Sequence, residues 1–253
     1  MEKFIKNLAR GAGKILREGF RTEFKVSYKQ GTWDLVTEYD LASEKYIIDR
    51  IRKKYPRHGI LSEETGLIGK KDKIWVIDPL DGTLPFARGY QQFGVSIGFV
   101  SRGKVRYAAV YDPMHDELFY AKKGRGSFLN GKRIGIAKPH DLYHANIYAA
   151  LGTGIATDKQ RKTVFNKLLL PFGLWRAGAL AAAVSLAWMA AGRLDVAITS
   201  LPLWDNCAGA LLLQEAGAEV TDFGGKPWRW DKGELIAASP KLHRQIMEAV
   251  GKL

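Results

Sequence analysis

Residues 75–86 read WVIDPLDGTLPF: Asp78 and Asp81 stand three apart around a proline, with Gly82 and Thr83 directly behind. One breaker is enough to end a strand. Two acids, a glycine and a hydroxyl together point to further chemistry. Three more acid-bearing segments share this character: DLVTEYD (34–40), SEE (62–64) and WDNCAG (204–209). Each lies at the end of a predicted element, where side chains of an α/β protein converge on a cleft. Apart from Cys207 they hold neither His nor Cys, so zinc bound by nitrogen and sulfur is not supported. Carboxylates with a backbone carbonyl suit Mg²⁺ or Mn²⁺. Crowded carboxylates repel and take up protons, and a dication removes that conflict. Two dications about 3.5–4 Å apart bridge a phosphate and activate water. Asp78 is the natural bridging ligand, with the Leu80 carbonyl beside it on the turn. Gly82 and Thr83 offer backbone N–H groups to a phosphate at a helix start. Singly, each segment has an ordinary reading: Asp78-Pro79 and Asp81-Gly82 as turns, Asp40 as a first-turn acid, Glu63-Glu64 as a solvated pair, Asp205 as a cap. Their coincidence at element ends favours the metal reading.

The elements that must position these acids can be read from periodicity. Ile5, Leu8, Ala12, Ile15 and Leu16 predict a helix over 2–19. A second helix is predicted from Glu38 to Tyr55, capped by Thr37 with Asp40 in its first turn, with Leu41, Ile47, Ile48 and Ile51 on its buried face. Pro56 ends it. Short strands follow at 58–62 and 73–78, then an antiparallel meander from Phe93 to Arg133, with turns at Arg102-Gly103, Asp112-Pro113, Gly124–Gly126 and Asn130-Gly131. Beyond residue 141, strands and helices alternate. The apolar run Ala177–Ala191 is shorter than the ~20 residues that span a bilayer and predicts a buried helix.

The chain has 253 residues, 46% hydrophobic and 26% charged, which admits one large domain or two sharing a cleft. We expect an N-terminal segment, 1–140, to carry most of the acids and a C-terminal one, 141–253, to supply Asp205 and substrate-side residues. Cys207 is the one cysteine, so no intramolecular disulfide forms, and a reducing cytoplasm is expected. No secretory signal or membrane association is expected. The net charge is +13. In the sequence the basic residues are dispersed and lack interleaved aromatics, so nucleic acid is not the expected partner.

These motifs resemble the inositol monophosphatase family of Mg²⁺-dependent, Li⁺-sensitive phosphatases, relatives of the fructose-1,6-bisphosphatases. Its W-[IV]-[IV]-D-P-[IL]-D-G-T motif is matched by Trp75–Thr83, W-D-x-A-A-G by Trp204–Gly209, D-x-V-T-x-x-D by 34–40, and its paired glutamates by Glu63-Glu64. The resemblance runs over nearly the whole chain. It implies a layered α-β-α-β-α sandwich, usually a homodimer, acting as a phosphoric monoester hydrolase on a small phosphorylated metabolite. By motif position, Glu63, Asp78 and the Leu80 carbonyl would hold a first Mg²⁺, and Asp78, Asp81 and Asp205 a second. Glu63 would also reach a third, looser ion, and Mn²⁺ would substitute. Thr83 and Asp40 would orient the attacking water with Glu64 close by, Gly82 and Thr83 would receive phosphate, and Lys29 matches a lysine near the metals. The family usually has Asn at the position of Pro85 and Gly at that of Ser62. Its G-[ST]-A-A segment on the sugar side appears as Ala179-Leu180-Ala181-Ala182, and its inositol-gripping glutamate falls, by counting back from Asp205, on Ile198. These departures argue against a tuned myo-inositol 1-phosphate site and for a permissive or less hydroxylated substrate. Fructose 1,6-bisphosphate, histidinol phosphate and 3′-phosphoadenosine 5′-phosphate remain alternatives, as does a non-catalytic scaffold binding RNA or protein.

Overall fold

The computed structural model describes residues 1–29, 35–139, 141–152, 156–171 and 181–251. Helix α1 spans Glu2–Gly19, with Ile5, Leu8, Ala12 and Leu16 buried along one stripe. Strands β1 (Val26–Tyr28) and β2 (Leu35–Thr37) pair antiparallel. Helix α2 (Glu38–Lys54) starts on a capping box: the Thr37 hydroxyl accepts from the Tyr39 and Asp40 N–H groups, and Asp40 accepts from the Thr37 N–H. Its buried stripe differs from the apolar one expected. Leu41 is 53% exposed, whereas Asp40, Ser43 and Glu44 are buried, continuing into Ile47 and Ile51. A polar first turn at i, i+3 and i+4 therefore faces inward.

The large sheet contains β3 (Gly59–Ser62), β4 (Gly66–Ile68), β5 (Lys73–Asp81), β6 (Gly94–Ser101), β7 (Lys104–Asp112), β8 (Glu117–Lys122), β9 (Gly126–Leu129) and β10 (Lys132–Ile134). Its order is β10-β9-β8-β7-β6-β5-β3-β4, and only β3 and β5 run parallel. The short helix α3 (Thr83–Ala87) leaves β5. Pro85 lies in its first turn, where a backbone N–H would have no partner within the helix, so the proline is accommodated.

The smaller sheet follows the order β11-β12-β14-β13, from β11 (Ile147–Leu151), β12 (Val196–Ser200), β13 (Glu219–Thr221) and β14 (Glu234–Ala238). Between β11 and β12 come α4 (Asp158–Val164), a π-helical turn at Phe165–Leu169, and α5 (Ala182–Ala190). Helix α6 (Leu203–Glu215) follows β12, and α7 (Pro240–Val250) ends the described chain.

Side-chain alternation assigns the layers. On β5, Trp75 and Ile77 face α1 and α2, while Ile74 and Val76 join α5 and α6 in the middle. On β12, Ala197 faces that middle layer, and Val196 and Ile198 face the outer one with Leu242 and Ile246 of α7. The stack is therefore the expected α-β-α-β-α sandwich. Ile198 corrects a substrate-side expectation: it is fully buried in the outer core beside Phe223 and Ile236. Its neighbour Thr199 instead bonds Asn206 of α6, at 2.8 Å.

The middle layer is thin because small residues allow close approach. A Cβ at Gly209 would lie 2.5 Å from Leu186 Cδ1, and one at Gly98 would lie 2.6 Å from Cys207 Sγ. Cys207 is fully buried, and burial pushes its thiol up to about 12, so it packs rather than reacts. Gly209→Ala should overpack the α5–α6 contact and lower stability by about 1–3 kcal/mol. A lower urea midpoint at unchanged m-value checks this.

Candidate metal centre

On a regular strand, residues three apart point to opposite faces, so Asp78 and Asp81 should diverge. They converge because β5 bulges. Asp78 pairs with Ser96 and Asp81 with Gly94, three steps on β5 against two on β6. Local bonds fix the bulge. The Leu80 N–H donates to Asp78 Oδ1 at 3.1 Å, and Ser43 Oγ of α2 donates to the Pro79 carbonyl at 2.7 Å. Gly82 follows at φ +88°, a conformation L side chains rarely adopt. A Cβ there would also lie 2.9 Å from the Ala181 Cβ. Ala181 thus lies against the expected phosphate-binding turn. Asp34, Ala179 and Leu180 lie outside the described residues.

Asp205 enters from the opposite side. Helix α6 starts at Leu203 with Pro202 as its cap, three residues earlier than a capping Asp205 would require, which puts Asp205 in its first turn. Ser96 Oγ on β6 donates to the Trp204 carbonyl at 3.2 Å, tying that turn to the large sheet. Among the described residues, Asp78, Asp81 and Asp205 each present a carboxylate oxygen within 4.8 Å of the others. Asp81 is held further by the start of α5: the Val184 N–H donates to its Oδ2 at 2.8 Å.

Glu63 and Glu64 follow β3, and the Glu63 N–H extends the ladder to the Ile77 carbonyl at 3.2 Å. Lys29 Nζ lies 2.9 Å from Glu63 Oε1 and 2.5 Å from Glu64 Oε1, so this lysine belongs to the cluster. Glu44 of α2 accepts from both the N–H and the hydroxyl of Thr65, fixing the turn behind the pair. Thr83 Oγ1 lies 2.9 Å from Asp40 Oδ1 and 3.1 Å from the Leu80 carbonyl, and it can donate to either. The structure therefore brings Lys29, Asp40, Glu63, Glu64, Asp78, Leu80, Asp81, Gly82, Thr83, Ala181 and Asp205 to one region and leaves Ile198 out. Sequence reasoning missed Ser43, Glu44 and the Val184 N–H. The polar i, i+3, i+4 stripe on α2 carried a signal for the first two.

The donor set fits a hard dication. It is all oxygen and largely buried, and among the described residues only Glu63 of its carboxylates has a cationic partner, Lys29. Burial, then Glu63, Asp81 and Asp205, raises the Asp78 carboxyl well above the usual range. Asp205 is raised by burial and by Asp81 and Glu63. Burial lifts Asp81 to about 7 although N–H groups of α5 oppose it, Glu64 to about 7 despite Lys29, and Asp40 to about 6 despite bonds from Thr37 and Thr83. Burial works against the Lys29 charge, yet Glu63 and Glu64 raise its pKa.

Carboxyls raised in the folded state bind more protons folded than unfolded. The metal-free fold is therefore most stable below their unfolded values and loses stability as pH rises through the folded ones. From the ordinary 3.8 and 4.5 to about 6 and 7, the melting temperature of the metal-free protein should fall. Mg²⁺ should restore more stability near pH 7.5 than near pH 5, because metal competes with protons there. Thermal melts with and without EDTA across this range check it; a melting temperature that rises throughout in EDTA contradicts it.

The profile of the inositol monophosphatase family matches residues 1–253. The chain is 39% identical to the Nus factor SuhB of Vibrio cholerae over 251 residues, 96% of this chain and 92% of that protein. Among solved structures, the suhB extragenic suppressor protein of Bartonella henselae superposes with a TM-score of 0.88 at 31% identity, covering 99% of this chain and 98% of that one. An IMPase of Thermotoga maritima superposes with a TM-score of 0.86 at 31% identity, covering 98% and 95%. The chain belongs to the inositol monophosphatase family.

Proposed function

We propose that the protein is a metal-dependent phosphomonoesterase acting on a small phosphorylated metabolite. One observation carries this reading: Asp78, Asp81 and Asp205, from the two halves of the chain, present oxygens within 4.8 Å of one another. Glu63, Asp78 and the Leu80 carbonyl would hold one Mg²⁺, and Asp78, Asp81 and Asp205 another. When bound, these ions supply charge neutralisation and Lewis-acid chemistry to a phosphoryl group.

The chain's own groups account for the rest. Asp40, anchored by the Thr37 N–H and hydroxyl, lies within hydrogen-bond distance of the Thr83 hydroxyl. When that hydroxyl donates to Asp40, its lone pairs can accept from a water and aim it. Backbone N–H groups at the start of α3 lack acceptors within the helix and would receive phosphate oxygens. Gly82 leaves that approach open. Lys29 holds Glu63 and Glu64 in place.

The name Nus factor, carried by the Vibrio cholerae relative, favours a second reading in which the fold serves as a binding scaffold. The complete acid set, buried at a stability cost, argues against scaffolding as the whole role. Phosphate release should require Mg²⁺, cease in EDTA and be inhibited by Li⁺. Asp78→Asn should reduce turnover by about 100-fold or more. Undiminished turnover in Asp78→Asn would sink the assignment. Thr83→Ala should lower kcat by about tenfold or more while Mg²⁺ binding by calorimetry persists. Ranking the four candidate phosphomonoesters by kcat/KM identifies the substrate.

A further inference from the structure

The end of the large sheet formed by the β6–β7 and β8–β9 turns carries two cavities that share no residue with the acid centre. On the α6 face, a cavity of about 270 Å³ is lined by Lys104, Lys123, Arg229, Trp228 and Trp230 among others. On the α1 face, a cavity of about 400 Å³ includes Lys6, Lys122, Arg125, Tyr120 and Phe128. Lys122 and Lys123 are consecutive at the end of β8 and line different cavities, so a single turn separates the two. Residues that look scattered along the chain are thus gathered into one basic and aromatic band.

The turn is held firmly: the Gly124 and Gly126 N–H groups donate to Glu215 Oε1 and Oε2 at 2.8 and 2.9 Å. Glu215 is thereby engaged by backbone and stands 3.8 Å from Lys123. Arg229 is paired with Asp231, and Lys6 with Glu2. Glu2 lines the second cavity and its charge is also felt by Lys122, whereas among the described residues Lys104 and Arg125 form no ion pair with a carboxylate. Lys6 lies over the Tyr120 ring at 4.2 Å and Lys122 over Tyr107 at 5.8 Å, so cations and rings already alternate here. Trp228 forms a buried wall, while Trp230 is half-buried, packed in part against the core, and lines the cavity with the rest of its surface.

A phosphate alone needs cations but no indole. Cations beside a partly exposed indole suit a base with its phosphate, and a second cavity with its own cations across the turn suits a strand rather than a single nucleotide. A duplex keeps its base faces stacked inside and cannot use the indole. We propose that this end of the sheet binds single-stranded nucleic acid, with a base on Trp230 and successive phosphates at Lys104, Lys123, Lys122 and Arg125.

The test uses the full chain in EDTA and fluorescein-labelled RNA and DNA strands of about 12 nucleotides without terminal phosphates, so the phosphatase reading can fail independently. Anisotropy should show binding that weakens between about 50 and 200 mM salt, with a slope near −0.7 per phosphate contacted. Lys104→Glu with Lys123→Glu, both at the surface, should weaken binding by about tenfold or more and flatten that slope. Trp230→Ala should weaken it about five- to a hundred-fold at unchanged slope, provided its melting temperature is retained. Duplex and inorganic polyphosphate should bind less well than the single strand. Absent strand binding, or binding unaffected by the double lysine variant, overturns the proposal. Polyphosphate competing as well as the strand, with Trp230→Ala without effect, overturns it too, because the band would then be a merely basic surface. Preference between RNA and DNA identifies the source of the strand.

Discussion

Everything around the acid centre answers to one electrostatic constraint: carboxylates crowded in a dry pocket cannot all be charged without a counter-charge. Asp78 and Asp81 are each 2% exposed, and Glu63 and Asp205 add to the same field. Lys29 is the one described ammonium bonded within the cluster, and it is taken up by Glu63 and Glu64. The remaining acids must either hold protons or hold a dication. Such an arrangement costs stability and is explained by chemistry rather than by packing.

The fold meets this constraint by drawing the ligands from separate layers. The bulge in β5 turns Asp78 and Asp81 the same way, α6 presents Asp205, and α5 donates its first N–H groups to Asp81. Helix α2 underpins the assembly through Asp40, Ser43 and Glu44, each bonded to a different segment of the site. The Asp81–Val184 bond spans 103 residues, so the centre also joins the two halves of the chain. Forming the site and closing the sandwich are therefore coupled.

What could be read from sequence was local. The Thr37–Asp40 cap, the Asn130-Gly131 turn, whose residues adopt φ of 47° and 84°, and the meander all follow from nearest-neighbour chemistry. The acid motifs were legible because their spacing is itself local. The bulge was not, since it is a register between β5 and β6 rather than a property of either strand. Ile198 was misplaced because counting along the chain ignores which face a strand residue takes, and alternation on β12 turns it to the outer core. The buried polar stripe of α2 was obscured by Leu41, which the apolar pattern placed inside and the fold leaves exposed. The basic band was invisible for a similar reason: Lys104, Lys123 and Arg229 become neighbours only through sheet topology and the loop before β14.

The central claim is that the acid cluster exchanges protons for dications. Calorimetric titration of Mg²⁺ into the metal-free protein near pH 6, repeated in buffers of different ionisation enthalpy, counts the protons displaced. The account predicts saturable binding that releases at least one proton per chain, with release diminishing as pH rises past about 7, where Asp81 and Glu64 shed theirs unaided. Binding without proton release near pH 6, or no binding at any pH, would contradict it.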